Sequence, residues 1–221
     1  GLGPVKVNAV VVGVGKIPHA DAAHRHALAR EIMLHPHRRV LQPQALDAYI
    51  GGGWKTVLLG SLGGGGKGVY ALDVTTPDSF GASDVLWEFT SEDDSNMGVA
   101  IPQATMARMY NGDWAAIVSN GYNSGGNATL FILDLETGAK LAEIDTGVGG
   151  DNGLSSAIPV DVDGDRITDY IYAGDLKGNM WKFDVTSSDE GDWAVAFEGA
   201  PLYTACSEDP CTSTNRQPIT A

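Results

Sequence analysis

Four aspartates in nine positions, in the stretch DVDGDRITD from Asp161 to Asp169, are the residues best placed to do chemistry. They stand at relative positions 1, 3, 5 and 9. A flexible loop can turn odd-numbered side chains of this kind onto one centre, with a main-chain carbonyl near position 7 joining them. Calcium takes about six to eight oxygens at about 2.3–2.6 Å, drawn from carboxylates, carbonyls and water. The spacing therefore assigns Asp161, Asp163, Asp165 and Asp169 as side-chain ligands of Ca2+ and Ile167 as a main-chain ligand. The match to the helix-flanked calcium loop is partial. That motif has Gly at position 6 and Glu at position 12, whereas Arg166 and Tyr172 stand there and the glycine is Gly164 at position 4. The following YIYAG alternates with period two and predicts a strand, so the loop is expected between two strands. An acidic turn is the alternative, since Asp and Gly are ordinary turn residues. Four crowded carboxylates repel one another unless a cation neutralises them, which favours the ion. On this reading Asp161→Ala or Asp169→Ala lowers stability in calcium and matters little in chelator.

The elements around the loop repeat. GVYALDV (68–74), TLFILDL (129–135) and NMWKFDV (179–185) each alternate and carry an aspartate in the same place, Asp73, Asp134 and Asp184. KTVLLG, WAAIVSN and DYIYAG precede them as strands, and VLWEFT, KLAEID and WAVAFEG follow as outer strands. Between the groups lie VAIPQA, SAIPVD and RQPITA, whose prolines Pro102, Pro159 and Pro218 predict a short innermost strand that tolerates a missing N–H. Four strands over about 50–60 residues, repeated, indicate a β-propeller. The fold class is all-β: a partial propeller of four-stranded antiparallel blades, with the calcium loop elaborating one blade hairpin. About three blades and the start of another are expected across residues 47–221. Propellers typically need about 4–8 blades, so the chain is expected to be an excerpt that does not close a ring alone. The tryptophans Trp54, Trp87, Trp114, Trp181 and Trp193 are expected to pack blades together.

Composition narrows the function. A net charge of −14 over 221 residues argues against nucleic acid, whose affinity comes from cations on phosphate. No apolar run approaches the roughly 20 residues of a membrane helix. Residues 1–46 read differently from the rest. Residues 1–50 hold 6 of the 14 basic groups and 3 of the 28 acidic ones, leaving 8 basic against 25 acidic in 51–221. All five histidines fall before residue 38. A strand over 5–14 and a helix over 22–34 capped by Asp21 are expected there, in a basic leader of unassigned role with no signal-peptide pattern. HADAAHRH and HPH lack the regular spacing of a zinc site. Cys206 and Cys211, in a polar loop, are expected to pair, which implies an oxidising compartment.

WKTVLLGSLGGGGKGVYALDVT, SNGYNSGGNATLFILDLETG, DVDGDRITDYIYAGDLKGNMWKFDV and RQPITA occur in this order. Together they resemble the C-terminal propeller of the PilC/PilY family of type IV pilus biogenesis factors and tip-associated adhesins. The resemblance covers residues 47–221. It implies a quinoprotein-like propeller and a Ca2+ ion on Asp161, Asp163, Asp165, Ile167 and Asp169 that regulates pilus extension against retraction. It also implies an exported protein at the pilus tip, outer-membrane surface or extracellular space. Its partners would be minor pilins and host-cell or abiotic surfaces, with no catalytic role.

Two other functions compete. ALDVTT and LDLETGAKL echo the repeats of pyrroloquinoline-quinone dehydrogenases, whose propellers also bind calcium. A quinone site needs the ion beside the cofactor with a base and an Arg on the ring carbonyls. Here the aspartates lie in one local loop and saturate the ion, and no histidine follows His37 to serve a nucleophile. The second is a purely structural module in which calcium only rigidifies a hairpin.

Overall fold

The computed structural model describes residues 43–122 and 125–220. The strand, helix and histidine readings made for residues 5–37 lie outside them. Each repeat forms one antiparallel sheet in simple up-and-down order. The first contains β1 (Gln44–Ile50), β2 (Gly53–Ser61), β3 (Gly68–Asp73) and β4 (Val85–Thr90). The second contains β5 (Thr105–Arg108), β6 (Trp114–Ser119), β7 (Thr129–Asp134) and β8 (Lys140–Asp145). The third contains β9 (Ile158–Val160), β10 (Tyr170–Gly174), β11 (Asn179–Asp184) and β12 (Ala194–Val195), with β13 (Tyr203–Thr204) also pairing on β11. β1 runs across the expected division at 46/47.

The period-two pattern explains the stacking, because alternate side chains of one strand reach opposite neighbours. In the second sheet Ala116, Val118, Phe131 and Leu133 join the core shared with Ile50, Leu59, Val69 and Phe89 of the first. Ala115, Ile117, Leu130 and Ile132 join the core shared with Ile171, Trp181 and Phe183 of the third. The second sheet is therefore apolar on both faces, which accounts for the unbroken burial of Thr129–Leu133. Fully burying a side chain such as Phe131 contributes about 1.5–3 kcal/mol. One joint is specific: the Trp87 indole N–H donates to the Leu135 carbonyl at 2.9 Å. Its ring lies where a Cβ on Gly138 would stand, 2.6 Å from Trp87 Cγ.

Two expectations need correction. Pro159 sits within β9, but Pro102 lies upstream of β5 and Pro218 lies in no strand. The residue of the second sheet that matches Pro159 in register is Met106, because the ladder, not the proline, sets the alignment. Among the described residues Trp54 packs no joint; it is 66% exposed beside Tyr49 on the first hairpin, whereas Trp87, Trp181 and Trp193 are buried. In RQPITA, Ile219 N–H donates back to the Asp175 carbonyl at 2.9 Å. Cys206 and Cys211 are bonded, as their loop suggested. Among the described residues no helix is long and apolar enough to cross a membrane.

Candidate metal centre

Residues 161–169 join β9 to β10 beyond the last ladder pair, Val160 opposite Tyr170. Asp161 organises the turn: its Oδ1 accepts from Gly164 N–H at 2.6 Å and its Oδ2 from Arg166 N–H at 2.7 Å. Asp163 Oδ1 accepts from Asp165 N–H at 3.1 Å, and Asp165 Oδ1 from Ile167 N–H at 2.7 Å. Asp169 closes the loop, its Oδ2 accepting from Val162 N–H at 2.6 Å. Side chains that accept from nearby backbone amides are the ordinary way Asp stabilises a tight turn. Gly164 (φ +85°) and Arg166 (φ +71°) are both left-handed. Arg166 thus adopts the backbone conformation usual for the glycine at position 6 of the helix-flanked loop, and the departure from that motif lies in the side chain.

One carboxylate oxygen from each of Asp161, Asp163 and Asp169 lies within 4.8 Å of the others. Two oxygens on one calcium ion stand at most about 5 Å apart, twice the bond length, so this group meets the separation the ion requires. Each carboxylate oxygen has two lone pairs and can accept a hydrogen bond while facing an ion. Asp165 is not part of the converging group. Ile167 follows on, and no hydrogen bond among the described residues ends on its carbonyl. Asp161 and Asp163 are exposed, while Asp169 is 6% exposed. The ion pairs among the described residues, Lys55 with Asp73 and Lys140 with Asp94 and Glu143, lie elsewhere. The amides of Gly164 and Arg166 hold the Asp161 carboxyl below its ordinary range.

The second sheet reaches into this loop, a feature absent from the sequence reading. The Arg108 carbonyl accepts from Thr168 N–H at 2.9 Å. Tyr110, in the β5–β6 turn, donates its phenol O–H to Asp169 Oδ1 at 2.8 Å. That bond, with burial and the charge of Asp169 behind it, pushes the phenol up to about 12. MYNGD is legible as the matching hairpin of the preceding repeat. Its contact with the loop becomes visible only once adjacent repeats are stacked.

A family model described as the PilY1 beta-propeller domain matches residues 40–220. A type IV pilus biogenesis factor PilY1 homolog of Xylella fastidiosa is 41% identical over 189 residues, 79% of this chain and 13% of the relative. Type IV pilus biogenesis factor PilY1 of Pseudomonas aeruginosa (strain UCBPP-PA14) is 40% identical over 202 residues, 81% of this chain and 17% of the relative. The chain thus spans less than a fifth of the length of these relatives. The crystal structure of the Pseudomonas aeruginosa PilY1 C-terminal domain is similar at a TM-score of 0.73 and 40% identity. It is matched over 81% of this chain and 39% of that one.

Proposed function

This chain belongs to the family of the PilY1 β-propeller domain of type IV pilus biogenesis factors, and from that premise we propose that it is a calcium-responsive propeller segment of such a factor, without catalytic activity. The observation that carries the reading is the convergence of Asp161, Asp163 and Asp169 on one point. These three would hold Ca2+, with Ile167 offering its carbonyl and Asp165 approaching by a side-chain rotation. A bound ion supplies the positive charge that offsets the repulsion of the grouped carboxylates. The chain's own residues do the rest: Asp161 shapes the turn through two amides, and Asp169 closes the loop on Val162. We place this segment at the pilus tip or outer surface, with minor pilins as partners and host-cell or abiotic surfaces as targets. In that setting loop occupancy would bias extension against retraction.

Isothermal titration of the chelator-treated chain with CaCl2 tests the metal assignment. One ion per chain is expected. A Kd of about 10⁻⁷–10⁻⁵ M suits a sensor, and about 10⁻⁴–10⁻³ M an extracellular module that is permanently loaded. The weaker range would support the purely structural role. Absence of binding at about 10 mM, far above either range, would overturn the calcium assignment.

A further inference from the structure

We propose that Tyr110 is a positioning residue of the metal centre, so that a calcium site carried by the third sheet is completed by the second; this rests on the calcium reading above. Asp169 is the buried member of the converging group. Its Oδ2 is held from within the loop by Val162 N–H at 2.6 Å, and its Oδ1 from the second sheet by the Tyr110 phenol at 2.8 Å. Asp161 and Asp163, by contrast, accept only from amides of their own loop. The rotation of the Asp169 carboxylate is therefore set by two donors on different sheets.

The phenol can do this because its own hairpin is well braced. Met109 N–H donates to the Asp113 carbonyl at 2.9 Å, and Gly112 N–H donates to the Met109 carbonyl at 3.0 Å. On the loop side, Thr168, next to Asp169, is tied by its N–H to the Arg108 carbonyl at 2.9 Å. The O–H takes one lone pair of Oδ1 and leaves the other for an ion. A donor to a ligating carboxylate fixes its orientation, and removing such a partner typically weakens metal affinity by about 10–100-fold. By reciprocity, whatever calcium gains from the Tyr110 hairpin, the hairpin gains from calcium. Occupancy of the loop is then felt at the joint between two blades, which gives a local ion a route to the shape of the propeller.

The test compares the parent chain, Tyr110→Phe and Asn111→Ala by titration with CaCl2 and by melting in EGTA, with hydrogen exchange of the parent alongside. Tyr110→Phe is expected to raise Kd by about tenfold or more while Asn111→Ala, which keeps the phenol, leaves it near the parent value. Calcium is expected to slow exchange of the Gly112 amide in the parent. If the parent binds calcium and Tyr110→Phe binds it equally well, or if Asn111→Ala weakens binding as much, the phenol has no positioning role. An unchanged Gly112 exchange rate counts against it in the same way, even should the Phe variant fail to fold. A parent that binds no calcium removes the metal reading itself, a result distinct from these.

Discussion

Asp163 offers the cleanest way to separate the ion from the loop. Asp161 and Asp169 each accept two hydrogen bonds at 2.6–2.8 Å that shape the hairpin whether or not an ion is present. Their removal therefore costs stability in chelator as well, contrary to what the sequence alone suggests. Asp163 is exposed and accepts one longer bond, from Asp165 N–H at 3.1 Å. Asn at this position keeps an acceptor oxygen and loses only the charge. A ligand that binds the folded state alone stabilises it by RT ln(1 + [L]/Kd), about 2.7 kcal/mol at a hundredfold excess over Kd. If Asp163→Asn weakens affinity a hundredfold, the same calcium concentration leaves about 0.4 kcal/mol, a loss of about 2.3 kcal/mol. For a chain of this size one kcal/mol moves the Tm by about 2–4 °C, so the variant should melt about 5–9 °C below the parent in calcium. In EGTA the two should melt together. Calorimetric melts of both proteins in each buffer measure this. A variant that loses as much in EGTA as in calcium would show that Asp163 matters to the turn and not to an ion.

The joint between the first two sheets gives a second prediction. Gly138→Ala places a Cβ at φ +74° and 2.6 Å from Trp87 Cγ. The left-handed backbone costs about 1–2 kcal/mol, and displacing the indole from the buried Leu135 carbonyl adds about 1–3 kcal/mol. Urea unfolding should record the sum, and a loss below about 1 kcal/mol would mean the ring moves aside freely. Acid provides the third. Burial pushes the Asp94 carboxyl up, but the Lys140 ammonium and the Asn96 amide outweigh it and hold it below its ordinary 3.8. A group depressed in the folded state contributes stability that is present above its unfolded value and lost as pH falls through the folded one. Asp94→Asn should therefore be less stable than the parent at neutral pH and lose less on acidification below 3.8. Parallel stability curves for the two proteins over that range would refute the assignment.

Much of this was readable in the chain because local chemistry and period-two patterning agree. The repeated aspartates at the ends of β3, β7 and β11 mark equivalent positions: Asp73, Asp134 and Asp184 stand opposite Val57, Ala115 and Tyr170. The alternation of apolar residues located the strands, and DVDGDRITD located the hairpin. Aligning the repeats by their prolines misled, because a proline can sit within a short inner strand, as Pro159 does, or ahead of one, as Pro102 does. Trp54 misled for a related reason. An aromatic residue in a strand is indifferent to which face its neighbours cover, and Trp54 stands on the face turned from the first core, with Val57 and Leu59 on the other.

Register explains why the ion site arises where it does. Counting back from the shared aspartates, the ladder pair Asp47 opposite Thr56 in the first sheet matches Arg108 opposite Trp114 in the second. One position beyond Val160 and Tyr170, the same place in the third is held by Asp161 and Asp169, the two ends of the loop. The second hairpin closes that pair with the five residues 109–113, and the third with the seven residues 162–168. The site is thus two residues longer than the second hairpin, with carboxylates at both ends of its closing pair and Asp163 between them. Even the first sheet keeps a hint of it, since Thr56 Oγ1 donates to Asp47 Oδ1 at 2.6 Å across the equivalent pair. No single repeat contains this information, and neither does the Tyr110 contact 59 residues away. Both follow once blades are superposed by hydrogen-bond register, because a hairpin at a given position on one blade must lie beside the same hairpin on the next. Neighbouring hairpins on this rim are therefore where residues able to tune the loop should be found.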